Sequence, residues 1–349
     1  MKVAVLLSGG VDSSVALYLL KEKGFDVTAF YLKIWLQDEF SFLGDCPWEE
    51  DLNFASSVCK KASVPLEVIP LQTEYWDKVV SYTISEIKSG RTPNPDMFCN
   101  RLIKFGEFYD KIDASFEKVA SGHYARVEEK EGKFILKTSP DLVKDQTYFL
   151  AYLTQPQLSR ALFPIGNFTK RQIREKAKNY DLPNMSRKDS QGICFLGRIS
   201  FTEFIKHHLG ELLGDIVDVD SGKIVGQHKG YYYYTIGQRS GLGLSGGPWY
   251  VVKKDIENNI IFISRQDVTK RFRNTFKVGK FNWITGQPNS LNGLRVKIRH
   301  GAKSYKCNLE IEGDIGTVKM EEKDQGIAPG QFAVFYREDV CLGGSVILE

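Results

Sequence analysis

The stretch LLSGGVDSS, residues 6–14, decides how the first half of the chain is read. An apolar strand over residues 2–7 breaks at two glycines and passes into small hydroxyl residues that open a helix over residues 12–23. Gly9 and Gly10 let the backbone approach an anion closely, and the first amides of the helix point toward it. Leu6, Leu7 and Val11 flank this cradle, and Ser8, Ser13 and Ser14 can add hydroxyl donors to it. A plain glycine turn with a serine or aspartate cap accounts for less of the pattern. Yet the lysine of the common nucleotide-binding loop is missing. Asp12, an anion in the same turn, either fixes the loop through backbone amides or binds a Mg²⁺ that bridges to phosphate.

Outward from this loop, short strands alternate with helices. Strands are expected over residues 26–32, 65–70 and 118–120, and helices over 49–62, 73–88 and from Arg101 onward. Such alternation implies a parallel sheet covered on both faces. A hairpin over 125–137, turning at 130–133, interrupts it, and helical signal returns over 146–161. A capping box at Thr169 starts another helix, whose Arg171, Arg174 and Lys178 share a face that is either simply solvated or suited to RNA contact. Beyond Leu209 short β-rich runs dominate. The expected division is a nucleotide domain over 1–200, a small β-rich domain over 201–272 and a C-terminal β-barrel domain over 273–349.

The whole chain agrees with this plan. Its 349 residues exceed one domain, and 42% hydrophobic with 26% charged residues is ordinary for a globular protein. A net charge of +4 is compatible with a nucleotide or RNA partner. No apolar run approaches a membrane span, and the apolar core of the N-terminus, Val3 to Leu7, is too short for a signal peptide. A cytoplasmic enzyme is expected, with no membrane partner. The six cysteines form no CxxC pair, so neither a disulfide framework nor a zinc site is expected, and no metal ligand is assigned.

Two further stretches carry chemistry. In RTPNPDMFCN, residues 91–100, prolines stiffen a loop that holds Asp96 and Cys99 at fixed separation. Placed just before a helix, Cys99 would have its thiolate favoured by the dipole, and Asp96 is a candidate general acid or base. A structural cysteine beside a turn-forming aspartate remains the alternative. In RKDSQGICFLG, residues 187–197, Cys194 lies in a polar loop where Arg187 and Lys188 could lower its pKa. Two loop cysteines on a nucleotide domain are compatible with sulfur transfer, because a persulfide is a nucleophile strong enough to displace an activated oxygen.

SGGVDS resembles the signature of the ATP pyrophosphatase (PP-loop) enzymes, which hold the departing pyrophosphate of ATP while AMP passes to a substrate oxygen. PNPDMFCN, SGHYARV, LVKDQTYFL, DSQGICFLG and YTIGQRSGLGL resemble, in order, motifs of the bacterial tRNA-specific 2-thiouridylase family. The resemblance implies a PP-loop α/β domain, a small β-rich domain and a β-barrel of the translation-factor kind. It implies ATP with Mg²⁺ as cofactors. It also implies tRNAs for glutamate, glutamine and lysine as partners, thiolated at C2 of the wobble uridine, with sulfur from an external persulfide donor. It makes Cys194 the persulfide carrier and Cys99 the partner nucleophile, the two forming a transient disulfide. It sets Asn94, Pro95 and Asp96 against the target base. ATP would contact residues 6–13, Leu32 and Gly122, and tRNA would contact Lys144, Asp145, Gln146, Arg299 and His300. The family often has tyrosine at the position of His300. Rival expectations are another PP-loop thio- or amidotransferase, or an ATP-sensing tRNA-binding protein without chemistry.

Other conspicuous residues receive plainer readings. The tyrosines 231–234 could stack on bases but suit a strand with alternating faces. The segment LQDEFSFLGDCPWEEDL reads as an insertion over the nucleotide site, and Cys46 within it has no assigned chemistry. Cys59, Cys307 and Cys341 read as core residues, and His207 and His208 as the close of a helix.

Overall fold

The computed structural model describes residues 1–34, 48–189, 200–265 and 273–348. Cys46 and Cys194 lie outside the described residues.

The first domain is built on strands β1 (Lys2–Leu6), β2 (Asp26–Lys33), β3 (Leu66–Pro70), β4 (Lys118–Ala120), a hairpin β5 (Ala125–Lys130) and β6 (Lys133–Thr138), and a short β7 (Ala161–Leu162). Strands β3-β2-β1-β4-β7 form one sheet in that order, all parallel. β1 reads as an apolar run because both of its faces are covered. Ala4 and Leu6 join Phe30, Tyr75, Ile103 and Phe105 on one side, while Val3 and Val5 join Leu17, Leu20, Val58 and Cys59 on the other. The strand order reverses between β1 and β4, so a crevice opens at their carboxyl ends, where open α/β sheets bind ligands.

The helices that cover this sheet include α1 (Val11–Glu22), α2 (Trp48–Ala62), α3 (Ser81–Lys88) and α4 (Lys170–Asn179). Two expectations are refined. The helix over 73–88 is three successive runs, Gln72–Tyr75, Trp76–Val80 with wider turns, and α3. The helix over 146–161 breaks into Thr147–Leu150 and Gln155–Arg160. Thr154 starts the second with a Thr154–Gln157 capping box and a proline in its first turn, which an unbroken helix would not accommodate.

The central domain begins with α5 (Phe201–Leu209) and forms a four-stranded sheet in the order β10 (Tyr250–Asp255), β11 (Ile260–Ser264), β8 (Gly214–Asp218), β9 (Ile224–His228). Tyrosines 231–234 are not a strand. Tyr231–Tyr233 form a tight helical turn entered through Gly230 at φ +138°. Their hydroxyls explain why: Tyr231 donates to the Lys88 carbonyl at 2.6 Å, and Tyr233 donates to the Gly210 carbonyl at 2.7 Å. The tyrosines therefore fasten the central sheet to its own helix α5 and, through Lys88, to α3 of the first domain.

The last six strands are β12 (Arg273–Trp283), β13 (Leu294–Lys297), β14 (Tyr305–Glu312), β15 (Ile315–Asp324), β16 (Phe332–Arg337) and β17 (Val340–Ile347). They run in the order β12-β15-β14-β13-β16-β17, and pairing of β12 with β17 closes them into a barrel. The hairpin β5–β6 belongs to this sheet. β6 pairs with β17 through Leu136–Cys341 and Lys137–Val340, so the first domain lends two strands to the barrel's rim. Cys341, Cys307 and Cys59 are buried thiols, and burial pushes their pKa values to about 12, 12 and 11, too high for nucleophilic work at neutral pH.

Candidate active site

The loop after β1 is shaped from behind. Gly9 sits at φ +74°, and a side chain there would fall on the Asp51 carbonyl of α2. Its carbonyl accepts from Asn184 Nδ2 at 2.7 Å and from Arg187 Nη1 at 3.1 Å. Because C=O and N–H of one trans peptide point in opposite directions, the Gly10 amide is turned away from those residues. Ser13 and Ser14 hydroxyls donate to the Gly10 carbonyl at 3.1 and 2.9 Å, and Ser13 Oγ accepts from the Ser8 amide at 3.3 Å. No side chain caps α1. Its first-turn amides and Asp12 thus face the crevice with the cap position open to an anion. Gly122, just after β4, closes the other wall: a Cβ there would stand 2.7 Å from the Ser13 amide nitrogen. Leu32 is the penultimate residue of β2, one strand away. Gly122 thus meets the loop directly, while Leu32 is placed only on the strand next to β1.

Asp12 is not bare. Its carboxylate receives Lys170 Nζ at 2.8 and 2.9 Å and the Tyr124 hydroxyl at 3.0 Å. The same ammonium lies 2.7 Å from Asp189, which also holds Lys144 at 2.8 Å and Arg174. Burial alone would raise the Asp189 pKa, but Lys144 and Lys170 outweigh it and hold the carboxyl well below the usual range. Arg174, expected on an exposed basic face, is turned inward to this cluster and to the Arg187 carbonyl at 2.6 Å. Arg187 pairs with Asp51 and lies over the Phe54 ring; Cys194, which it was expected to tune, lies outside the described residues. None of Tyr124, Lys170, Asn184 and Asp189 was singled out from the sequence. They lie 112 to 177 positions from Asp12 in the chain, and only the crevice makes them its neighbours.

The RTPNPDMFCN stretch is helical earlier than expected. Asn94 caps the helix through its side chain, Pro95 occupies the first turn, and the runs Pro95–Phe98, Cys99–Glu107 and Phe108–Lys111 follow on from one another. A proline at that position loses no hydrogen bond, so here it marks a helix start, not a stiffened loop. Cys99 therefore lies inside the helical run, three positions after Asp96 and on the same side of it. Its thiol is 1% exposed, within the cluster that holds Met97, Ile103 and Phe332. The turns from Cys99 to Glu107 are wide, and Phe105 leaves helical geometry, a local irregularity common at functional sites.

The barrel seats itself on this stretch. Gln331 Nε2 donates to the carbonyls of Thr92 and Pro93 at 3.1 and 2.9 Å, and Tyr148 donates to the Phe332 carbonyl at 3.1 Å. His300 stacks on Phe149 at 4.7 Å, bonds the Asp145 carbonyl at 3.1 Å and is close enough to Asp96 to feel its charge. Burial lowers the His300 pKa. Arg299 holds Asp324 with two bonds of 2.8 Å while remaining half exposed. Gln146 accepts from the Tyr124 amide at 2.9 Å. Asp145 points inward, to Lys297 at 2.9 Å, so in this structure its side chain serves the barrel contact. Asn94 to Asp96, Lys144 to Gln146, and Arg299 with His300 are thus drawn into one region from three parts of the chain.

Family models match the chain in the same three pieces: a tRNA methyl transferase HUP domain over residues 1–198, a tRNA methyl transferase PRC-barrel domain over 202–265 and an aminomethyltransferase beta-barrel domain over 273–347. The chain is 46% identical to a tRNA-specific 2-thiouridylase MnmA of Parabacteroides distasonis over 356 aligned residues, covering 100% of this chain and 99% of that one. The chain belongs to the tRNA-specific 2-thiouridylase family. Other 2-thiouridylases, from Bacteroides thetaiotaomicron at 46% identity and Porphyromonas gingivalis at 45%, each cover 99% of both chains. The 2-thiouridylase domain order is that of the parallel sheet, central sheet and closed six-stranded barrel seen here.

Proposed function

We propose that this protein is an ATP-dependent tRNA-uridine 2-sulfurtransferase, acting on the wobble uridine of tRNAs for glutamate, glutamine and lysine. The observation that carries the reading is the uncapped glycine loop at the switch point of the parallel sheet, in a chain 46% identical end to end to a 2-thiouridylase. The working division is 1–200 for ATP and chemistry, 201–272 for the central domain and 273–349 for the barrel.

ATP binds with its phosphates on residues 6–13, between Gly122 and the end of β2 at Leu32. Among the described residues no group of three His, Cys, Asp or Glu side chains could hold a metal ion. Mg²⁺ suits this site as a companion of the phosphates, carried mainly by their oxygens and water. The uridine C2 oxygen attacks the α-phosphorus, forming an O–P bond as pyrophosphate leaves. Asn94, Pro95 and Asp96 lie against the base, which must leave the anticodon stack to reach them. An external donor charges Cys194 as a persulfide. Its terminal sulfur attacks C2 and AMP departs. Cys99 then attacks the Cys194 sulfur, releasing the thiolated base and leaving a Cys99–Cys194 disulfide that an external thiol reduces. Alternatively, Cys99 attacks the persulfide first, and the freed sulfide displaces AMP. Lys144, Gln146, Arg299 and His300 face the RNA, with Asp145 setting the segment's position. No described helix is long and apolar enough to cross a membrane, and a cytoplasmic location fits this chemistry.

The test is mass spectrometry of nucleosides from the cognate tRNAs after incubation with ATP and a persulfide source. 2-Thiouridine should appear, and Cys194→Ser should abolish it while tRNA-dependent pyrophosphate release continues. Full thiolation by that variant would overturn the assignment. ATP and tRNA binding without any thiolated product would instead mark a protein that senses ATP without chemistry.

A further inference from the structure

The glycine loop carries an anion, Asp12, and no lysine, although a triphosphate brings several negative charges to it. A carboxylate within about 4–5 Å of a phosphate opposes binding by several kcal/mol at the effective dielectric of a partly buried site unless a cation intervenes. The structure supplies that cation from 158 positions away. We propose that Lys170 is the phosphate-binding lysine that the loop lacks, its ammonium meeting the β- and γ-phosphates of ATP and staying with pyrophosphate as it leaves. This inference rests on the reading of residues 6–13 as the ATP site.

Three features of the side-chain cluster carry it. First, position: Lys170 Nζ contacts both oxygens of Asp12, so it stands directly over the first turn of α1, and it is 16% exposed, largely shielded from water. Second, availability. Asp12 keeps the Tyr124 hydroxyl at 3.0 Å, and Asp189 keeps Lys144 and Arg174. Lys170 can therefore turn to a third anion without leaving either carboxylate unpartnered. Third, anchoring. The Lys170 amide donates to Asp141 Oδ2 at 2.9 Å, and Asp141 Oδ1 accepts from the Lys144 amide at 3.2 Å. The backbone beneath the ammonium is thus fixed while the four-carbon stem stays free to reorient. Asp189 acts as the positioning residue: with Asp12 it holds the ammonium at the loop before ATP arrives. A lysine serves here as a point charge, which suits a group that must follow a departing anion more than a rigid fork would.

The experiment is calorimetric titration of the full-length protein with inorganic pyrophosphate and, separately, with AMP, in the wild type and in Lys170→Met and Lys170→Arg. Loss of one charge-assisted contact should weaken pyrophosphate by about ten- to hundredfold in Lys170→Met, with Lys170→Arg recovering most of it. AMP affinity should stay within about twofold, since AMP lacks the phosphates concerned. Equal weakening of both ligands would make Lys170 a purely structural brace and overturn the inference. Unchanged pyrophosphate affinity would overturn it as well. If the wild type binds neither ligand, the ATP-site reading itself fails, a result distinct from either variant outcome.

Discussion

The Asp145 carboxylate and the Lys297 ammonium meet at 2.9 Å with side-chain exposures of 0% and 6%. One belongs to the segment after β6 and the other to barrel strand β13, so this pair ties the first domain to the third through the interior. Asp145 also accepts from the Ser139 amide and the Thr147 hydroxyl, which makes it the hub that shapes the loop carrying Lys144.

Removing one partner of a buried pair leaves the other charge uncompensated. Lys297→Met should therefore cost about 3–5 kcal/mol in urea unfolding. Asp145→Asn combined with Lys297→Met should recover part of the loss, because the amide oxygen still accepts from Ser139 and Thr147. A double variant as unstable as the single one would show that the pair contributes more than charge neutralisation.

Gly122→Ala should damage the ATP site selectively. The new methyl would stand 2.7 Å from the Ser13 amide nitrogen and 2.9 Å from the Asp12 carbonyl carbon, both backbone atoms of the glycine loop. Overpacking of this kind costs about 1–3 kcal/mol, and the loop must shift to relieve it. ATP affinity should fall by about tenfold or more while tRNA affinity is retained, as read by filter binding of each ligand.

Cys99→Ser should lower thiolation by about a hundredfold or more, since serine cannot take part in sulfur exchange. Pyrophosphate release with tRNA should persist. The thiol's burial adds a second expectation: alkylation of Cys99 by iodoacetamide should be slow in the unliganded protein and faster with tRNA and ATP bound. Rapid labelling without ligands, located by peptide mass spectrometry, would contradict the burial.

Acid should loosen the barrel through Asp324. Burial alone would raise its pKa, but Arg299, Tyr305 and the Gly326 amide outweigh it and bring the value to about 2. A depressed carboxylate pKa stabilises the folded state above the ordinary carboxylate range and loses that contribution as pH falls toward the folded value. Arg299→Ala should move the acid-unfolding midpoint, followed by tryptophan fluorescence, to higher pH. It should leave thermal stability at pH 7 lowered, because Asp324 then loses its bidentate partner. A midpoint that stays in place would show that Asp324 does not govern acid unfolding.

Local chemistry was legible where a signal spans only a few residues. The strand–glycine–helix loop of residues 6–14, the Thr169 capping box and the hairpin turn between β5 and β6 all appear where the residue pattern puts them. Prolines were harder to read, because the same residue stiffens a loop or starts a helix. Only the Asn94 cap and the packing of Met97 and Ile103 distinguish the two, and these put Cys99 inside the helix. The tyrosines 231–234 show the same limit: their composition suits a strand, but hydroxyl partners on Lys88 and Gly210 bend them into a turn.

By itself the sequence determined the elements whose causes are local: the anion-binding loop and the alternating strands and helices around it. Only the tertiary structure decided which charges meet. Lys170 reaches Asp12, Asp189 gathers Lys144, Lys170 and Arg174, and Lys297 enters the interior to find Asp145. Periodicity places a side chain on a face of its own helix or strand, within a few residues. It carries no information on a partner more than a hundred positions away, because that meeting depends on how sheet, hairpin and barrel close upon one another.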